Sequence, residues 1–143
     1  MSHYQYFDHT ADIGVEISGR TKKELFANAA GALFDIIIEK SINKNAGGIQ
    51  KRQKTLAIEG ADTQDLMINF LRELLYLFNG EHWVVNRCEI MEFGSKKLKA
   101  RIIGEQYDNR KHSIKTEIKA VTYSGLKVEK QKYQWKARVV FDV

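Results

Sequence analysis

Apolar and polar positions alternate near the start of the chain. In ADIGVEIS, Ala11, Ile13, Val15 and Ile17 alternate with Asp12, Gly14, Glu16 and Ser18, the period of a half-buried strand. The preceding YQYF reads as another short strand. The period then changes. Leu25, Phe26, Ala29, Ala30, Leu33 and Ile37 form one stripe at helical spacing, which predicts a helix over Lys22 to Glu39. Thr21, with Glu24 three residues on, is a capping box for it. SINKNAGGIQKR is the most loop-like stretch, and QKTLAIEG reads as a strand. A second helix is predicted over Thr63 to Asn79, with Asp62 as N-cap and Gly80 as its stop. Met67, Phe70, Leu71, Leu74 and Phe78 form its apolar stripe.

The rest of the chain is strand-like. WVVNRCEIMEF and KKLKARIIGEQY are separated by Gly94-Ser95, a hairpin turn. After a polar loop come EIKAVTY, KVEKQ and YQWKARVVFDV. In the last, Tyr133, Trp135, Ala137, Val139 and Phe141 form the expected core face, and Asp142 projects from the other. Two strands, a helix, a strand, a helix and five strands predict an α+β fold. The expected arrangement is a two-layer α/β sandwich, a mostly antiparallel or mixed sheet with two helices on one face. Leu25, Leu33, Phe70, Leu74, Trp135 and Phe141 are its expected core.

Composition narrows the function classes. A chain of 143 residues fits a single domain, 1–143, that buries roughly 70% of its unfolded surface. Cys88 is the one cysteine, so no internal disulfide forms, and its alternating context makes it an inert strand residue. An unpaired thiol suits a reducing compartment, and a cytoplasmic location is expected. MSHYQYFDHTADIG has no basic head followed by an apolar block, so no signal peptide is expected. The longest strongly apolar stretches, such as LFDIII, are too short to span a bilayer. Twenty-three basic and 18 acidic residues leave a net charge of +5, which permits contact with RNA or an acidic partner and requires neither.

Three stretches carry candidate chemistry. Asp142 lies one residue before the last, beside the α-carboxylate of Val143. Two anionic groups about 4 Å apart in a partly exposed setting repel by roughly 4 kcal/mol unless a cation lies between them. Oxygen-only donors suit Mg²⁺ or Ca²⁺ rather than Zn²⁺; the bland alternative is a solvated terminal acid. In DHTADIG, Asp8 and Asp12 flank a turn that enters a strand, although both also serve as ordinary turn and surface residues. Arg110, Lys111 and His112 make a compact basic loop of the kind that holds phosphate when it is not simply solvated. Lys96, Lys97, Lys99, Arg101, Lys136 and Arg138 read as exposed strand faces that either bind RNA or discourage edge pairing. No P-loop, dinucleotide glycine pattern, nucleophile motif or zinc-ligand spacing is present.

DHTADIG near the start, GEQYD…KH…EIKAVTY in the middle and VVFDV at the end together resemble the archease family over essentially the whole chain. One departure is Ser124, where many members have histidine. The resemblance implies an α/β sandwich of strand-helix-strand-strand units. It implies a protein cofactor, not an enzyme, that works in tRNA splicing with the RtcB-type, GTP-dependent RNA ligase, promoting its guanylylation and multiple turnover. It also implies a metal-binding acidic tip for Ca²⁺ or Mg²⁺, with Asp12, Asp142 and the terminal Val143 as ligands. Asp8, His9, Lys111, His112 and Lys119 fall at matching, supporting positions. RNA and guanine nucleotide are then met through the ligase. The competing readings are an RNA-binding or chaperone-like module and a metal-dependent hydrolase using the same acids.

Overall fold

A computed structural model describes residues 3–7, 12–40 and 51–143. The order is β1 (Tyr4–Phe7), β2 (Asp12–Gly19), α1 (Lys22–Ile37), β3 (Ile38–Lys40), β4 (Arg52–Glu59), α2 (Thr63–Glu81), β5 (Trp83–Phe93), β6 (Lys97–Gln106), β7 (His112–Ile114), β8 (Ala120–Lys130) and β9 (Trp135–Asp142). The expected α+β class is what the chain adopts, and every strand pairing among the described residues is antiparallel. The strands do not form one sheet. They divide into a four-stranded sheet, β1-β2-β9-β8, a three-stranded sheet, β4-β6-β5, and the small pair β3-β7.

The helices join the two larger sheets. The buried residues of α1, from Leu25 to Ile37, cover an arc of roughly 200° at 3.6 residues per turn, and those of α2 do the same. That is wider than one sheet contact needs. Accordingly α1 packs on β2 and β9 and also on β5, while α2 packs on β8 and also on β4 and β5. Val15, Ile17, Val121, Ala137, Val139 and Phe141 supply the four-stranded sheet's share of one continuous core, and Leu56, Ile58, Leu98, Ala100 and Ile102 the other sheet's. Leu25, Leu33, Phe70, Leu74 and Phe141 are fully buried, and Trp135 packs at the core's margin.

The helix starts follow the sequence. Thr21 Oγ1 accepts from the Glu24 amide at 3.1 Å, the forward bond of a capping box, and Glu24 Oε1 reaches one residue past the N-cap to accept from the Arg20 amide at 3.3 Å. Asp62 caps α2 through the Asp65 amide at 2.8 Å. The stops differ from expectation. Helix α1 ends at Ile37, because Ile38–Lys40 turns extended and pairs with β7. Helix α2 runs through Gly80 to Glu81, and His82, at φ 60°, takes the left-handed terminating position. Histidine is among the residues enriched there.

Three strand expectations are also corrected. The polar loop contains β7. The AVTY of EIKAVTY and the KVEK of KVEKQ belong to one strand, β8, interrupted by an irregularity between Thr122 and Lys127, while Glu117, Ile118 and Lys119 precede it. Gly125 lies there at φ +72°, a backbone conformation that glycine adopts without strain. Tyr133 is not on the core face: it precedes β9 and is 82% exposed.

Candidate metal site

Sheet order creates the site. β2 starts at Asp12 and β9 ends at Asp142, and the antiparallel register places these residues directly opposite each other. Such partners have Cα atoms about 4.5–5.5 Å apart and project from the same face. Two rows along, Glu16 lies opposite Arg138, and their side chains meet at 3.6 Å on that face. The core-facing neighbours are Ile13 and Phe141, so both acids point away from the core, and both are half-buried. On the other side of β9, Ala120 of β8 stands opposite Asp142. Its methyl leaves room above the carboxylate. Val143 follows at once and is exposed.

Like charges directly opposite in a ladder are destabilising. This pair brings two oxygen donors within the span of one hard cation, with a further carboxylate beside them if the chain ends at Val143. Oxygen-only donors fit Mg²⁺ or Ca²⁺. Among the described residues no group of three His, Cys, Asp or Glu side chains gathers to hold a metal, so the tip offers a pair of acids and not a complete side-chain set.

The supporting residues separate into two places. Lys119 lies at the tip: its amide donates to the Asp142 carbonyl at 2.7 Å, and its side chain is exposed. Lys111 and His112 belong to a different cluster. Glu105, 6% exposed, is bonded by Lys111 Nζ and by Asn86 Nδ2 at 3.2 Å, with Lys51 at 3.7 Å. His112 is buried; its Nδ1 accepts from the Asp108 amide at 3.1 Å, and its Nε2 lies 3.4 Å from Glu105 Oε1 without a hydrogen bond. Burial alone would raise the Glu105 carboxyl, but Lys111, Asn86 and Lys51 hold it down to about 2. Arg110 grips Asp108 through Nε at 3.1 Å and Nη2 at 2.8 Å. The basic loop is thus neutralised internally and fastens the β6–β8 connection. Asp8 and His9 lie outside the described residues.

Sequence reasoning did not single out Glu105 or Asn86. The available signal was an acid following Gly104 in an otherwise apolar strand end, with Lys-His six residues on. Tyr123 of EIKAVTY also acquires a role. Its hydroxyl donates to Asp65 at 2.7 Å and its ring lies 5.0 Å under the Arg72 guanidinium, tying β8 to α2. Cys88 is half-buried, with its thiol pushed up to about 12 by burial and then by Glu89. No helix among the described residues is long and apolar enough to cross a membrane.

Fold and site define a small α+β protein with paired acids where two antiparallel strands meet. Residues 4–143 match the Archease protein family (MTH1598/TM1083), and the chain belongs to this family. It is 38% identical to a protein archease of Methanosarcina barkeri, over 98% of this chain and 95% of that one. It is also 38% identical to that of Pyrococcus abyssi, over the full length of both. These relatives are named archease and not as enzymes. The solution structure of Methanobacterium thermoautotrophicum protein 1598 superposes with a TM-score of 0.73 at 25% identity over 100% of both chains. The crystal structure of a Thermotoga maritima archease, described as a possible chaperone, gives 0.64 at 29% identity over 96% of this chain and 94% of that one.

Proposed function

We propose that this protein is a non-catalytic cofactor of the RtcB-type, GTP-dependent tRNA-splicing ligase, promoting its guanylylation and multiple turnover. The reading joins family membership to one observation, the placement of Asp12 opposite Asp142 at the end of β2 and β9. In this reading Asp12, Asp142 and the Val143 carboxylate hold Ca²⁺ or Mg²⁺. The ion, when bound, supplies a hard Lewis acid with open positions for nucleotide phosphate or ligase oxygens. The chain's own task is to carry those donors on a rigid strand pair and present them to the ligase. Lys119 lies beside them as a cation for the same phosphate. RNA ligation itself stays with the ligase in the cytoplasm.

The test is the rate of guanylylation of the cognate ligase in a purified mixture with GTP. Acceleration by the wild-type protein, lost in Asp142→Asn, supports the proposal. An unchanged rate sinks it. The Thermotoga relative's description keeps a chaperone-like reading in view. It predicts that Asp142→Asn suppresses aggregation of a client as well as wild type does.

A further inference from the structure

Helix α2 also reaches the tip, from the side away from β9. Strand β8 is an edge of the four-stranded sheet, and no strand among the described residues pairs with its other side. Its ladder with β9 near the tip is short. Ala120, Val121 and Thr122 stand opposite Asp142, Phe141 and Val140, and regular pairing resumes only at Lys127. A ladder this short, at a free edge and next to an irregular stretch, opens easily. Side chains of α2 take the place of a further strand. Arg72 Nη2 donates to the Val121 carbonyl at 3.3 Å, and Asn79 Nδ2 donates to the Ile118 carbonyl at 3.2 Å. Positions 72 and 79 are close to two turns apart, so both lie on one face of the helix. Near the start of α2, Gln64 Oε1 accepts from the Val128 amide at 3.1 Å, beyond the irregularity.

The Asn79 bond bears on the tip directly. The Ile118 carbonyl and the Lys119 amide belong to one peptide unit, and a trans peptide directs them to opposite sides. Asn79 holds the carbonyl, while the Asp142 carbonyl accepts from the amide at 2.7 Å. Helix α2, the peptide before Lys119 and β9 therefore form one hydrogen-bonded line. The Ile118 side chain is buried and anchors the segment in the core; the two bonds to its peptide fix the rotation that remains. Water satisfies a carbonyl at a solvated edge as well as an amide side chain does. What the Asn79 bond adds is position.

We propose that Asn79 and Arg72 are positioning residues for the tip: from α2 they hold the 118–122 segment against β9, so that Lys119 stands beside Asp142. What Lys119 does there rests on the proposed function. Where it is held rests on the hydrogen bonds alone.

The test has two parts, the first without the ligase. In amide hydrogen exchange of the protein alone, Asn79→Leu should speed exchange at Lys119 about fivefold, the worth of one hydrogen bond. Arg72→Met should do the same at Thr122, whose peptide it holds, and decides the matter if Asn79→Leu does not fold. Asn69→Leu is the control. Asn69 Nδ2 makes the same kind of bond from α2, to the Glu59 carbonyl of β4 at 2.9 Å, so its loss should lower the melting temperature similarly and leave Lys119 exchange unaltered. In the second part, Asn79→Leu and Lys119→Ala should each raise the KM for GTP in ligase guanylylation by about fivefold. Combined, they should do no more than Lys119→Ala alone, because the side chain to be positioned is gone. Asn69→Leu should keep the wild-type KM. Unaltered Lys119 exchange in Asn79→Leu overturns the inference, as does equal loss in Asn69→Leu or a combined loss that multiplies the two single ones. If the wild-type protein does not accelerate guanylylation, the proposed function fails, and the exchange rates still decide whether α2 holds the segment.

Discussion

Asp142 is held by the backbone on both sides. It stands opposite Asp12 and Ala120, and its carbonyl accepts from Lys119, so its carboxylate direction is fixed by two ladders. Asp142→Asn keeps the shape and removes one charge. We expect weaker Ca²⁺ or Mg²⁺ binding by calorimetry and lost ligase activation, with little change in melting temperature. Glu105 behaves differently. Its carboxyl is depressed from 4.5 to about 2, so its contribution to stability is complete above pH 4.5 and is lost as pH falls through 2. Acid denaturation should therefore steepen in that window, and Glu105→Gln should flatten it while lowering stability at neutral pH. Lys111→Met should cost toward the lower end of roughly 3–5 kcal/mol in denaturant melts, because Asn86 and Lys51 still serve the buried acid.

Among the elements, the helices are the most legible in sequence. Each has a long apolar stripe and a side-chain cap, and both lie within two residues of their expected bounds. Leu74, fully buried on α2, should cost about 2–5 kcal/mol when changed to alanine; a loss below about 1 kcal/mol would remove it from the core. The short strands β3 and β7 were not legible. Three residues carry no period, and each exists because the other pairs with it. The bend in β8 was also invisible, since a glycine in a strand pattern does not say that its φ is positive, as it is at Gly125. Gly125→Ala should cost about 1 kcal/mol, measured the same way.

At the scale of the whole molecule, Asp12, Asp142 and Val143 come together at one end of the four-stranded sheet. A C-terminal extension beyond Val143 leaves every side chain in place but displaces the terminal carboxylate and crowds the tip. A tagged protein should fold normally and activate the ligase less than the untagged one. Equal activation would leave the ligand role to Asp12 and Asp142. The protein alone should not turn over GTP. Metal-dependent hydrolysis abolished by Asp142→Ala would favour the enzyme reading instead.

Local chemistry in the sequence determined the α+β class, both helices, their caps and most strands, because period and capping act over a few residues. It also determined that Asp12 and Asp142 face away from the core, since alternation settles the face of each strand separately. Tertiary structure alone decided that β2 and β9 are neighbours in a register that sets Asp12 against Asp142. Their positions are 130 residues apart, and nothing local specifies which strands pair. The same holds for Lys111 and His112. As sequence they form a basic loop; in the fold they pack beside buried Glu105, because a carboxylate taken out of water stays charged only with a cation and donors such as Lys111 and Asn86 against it.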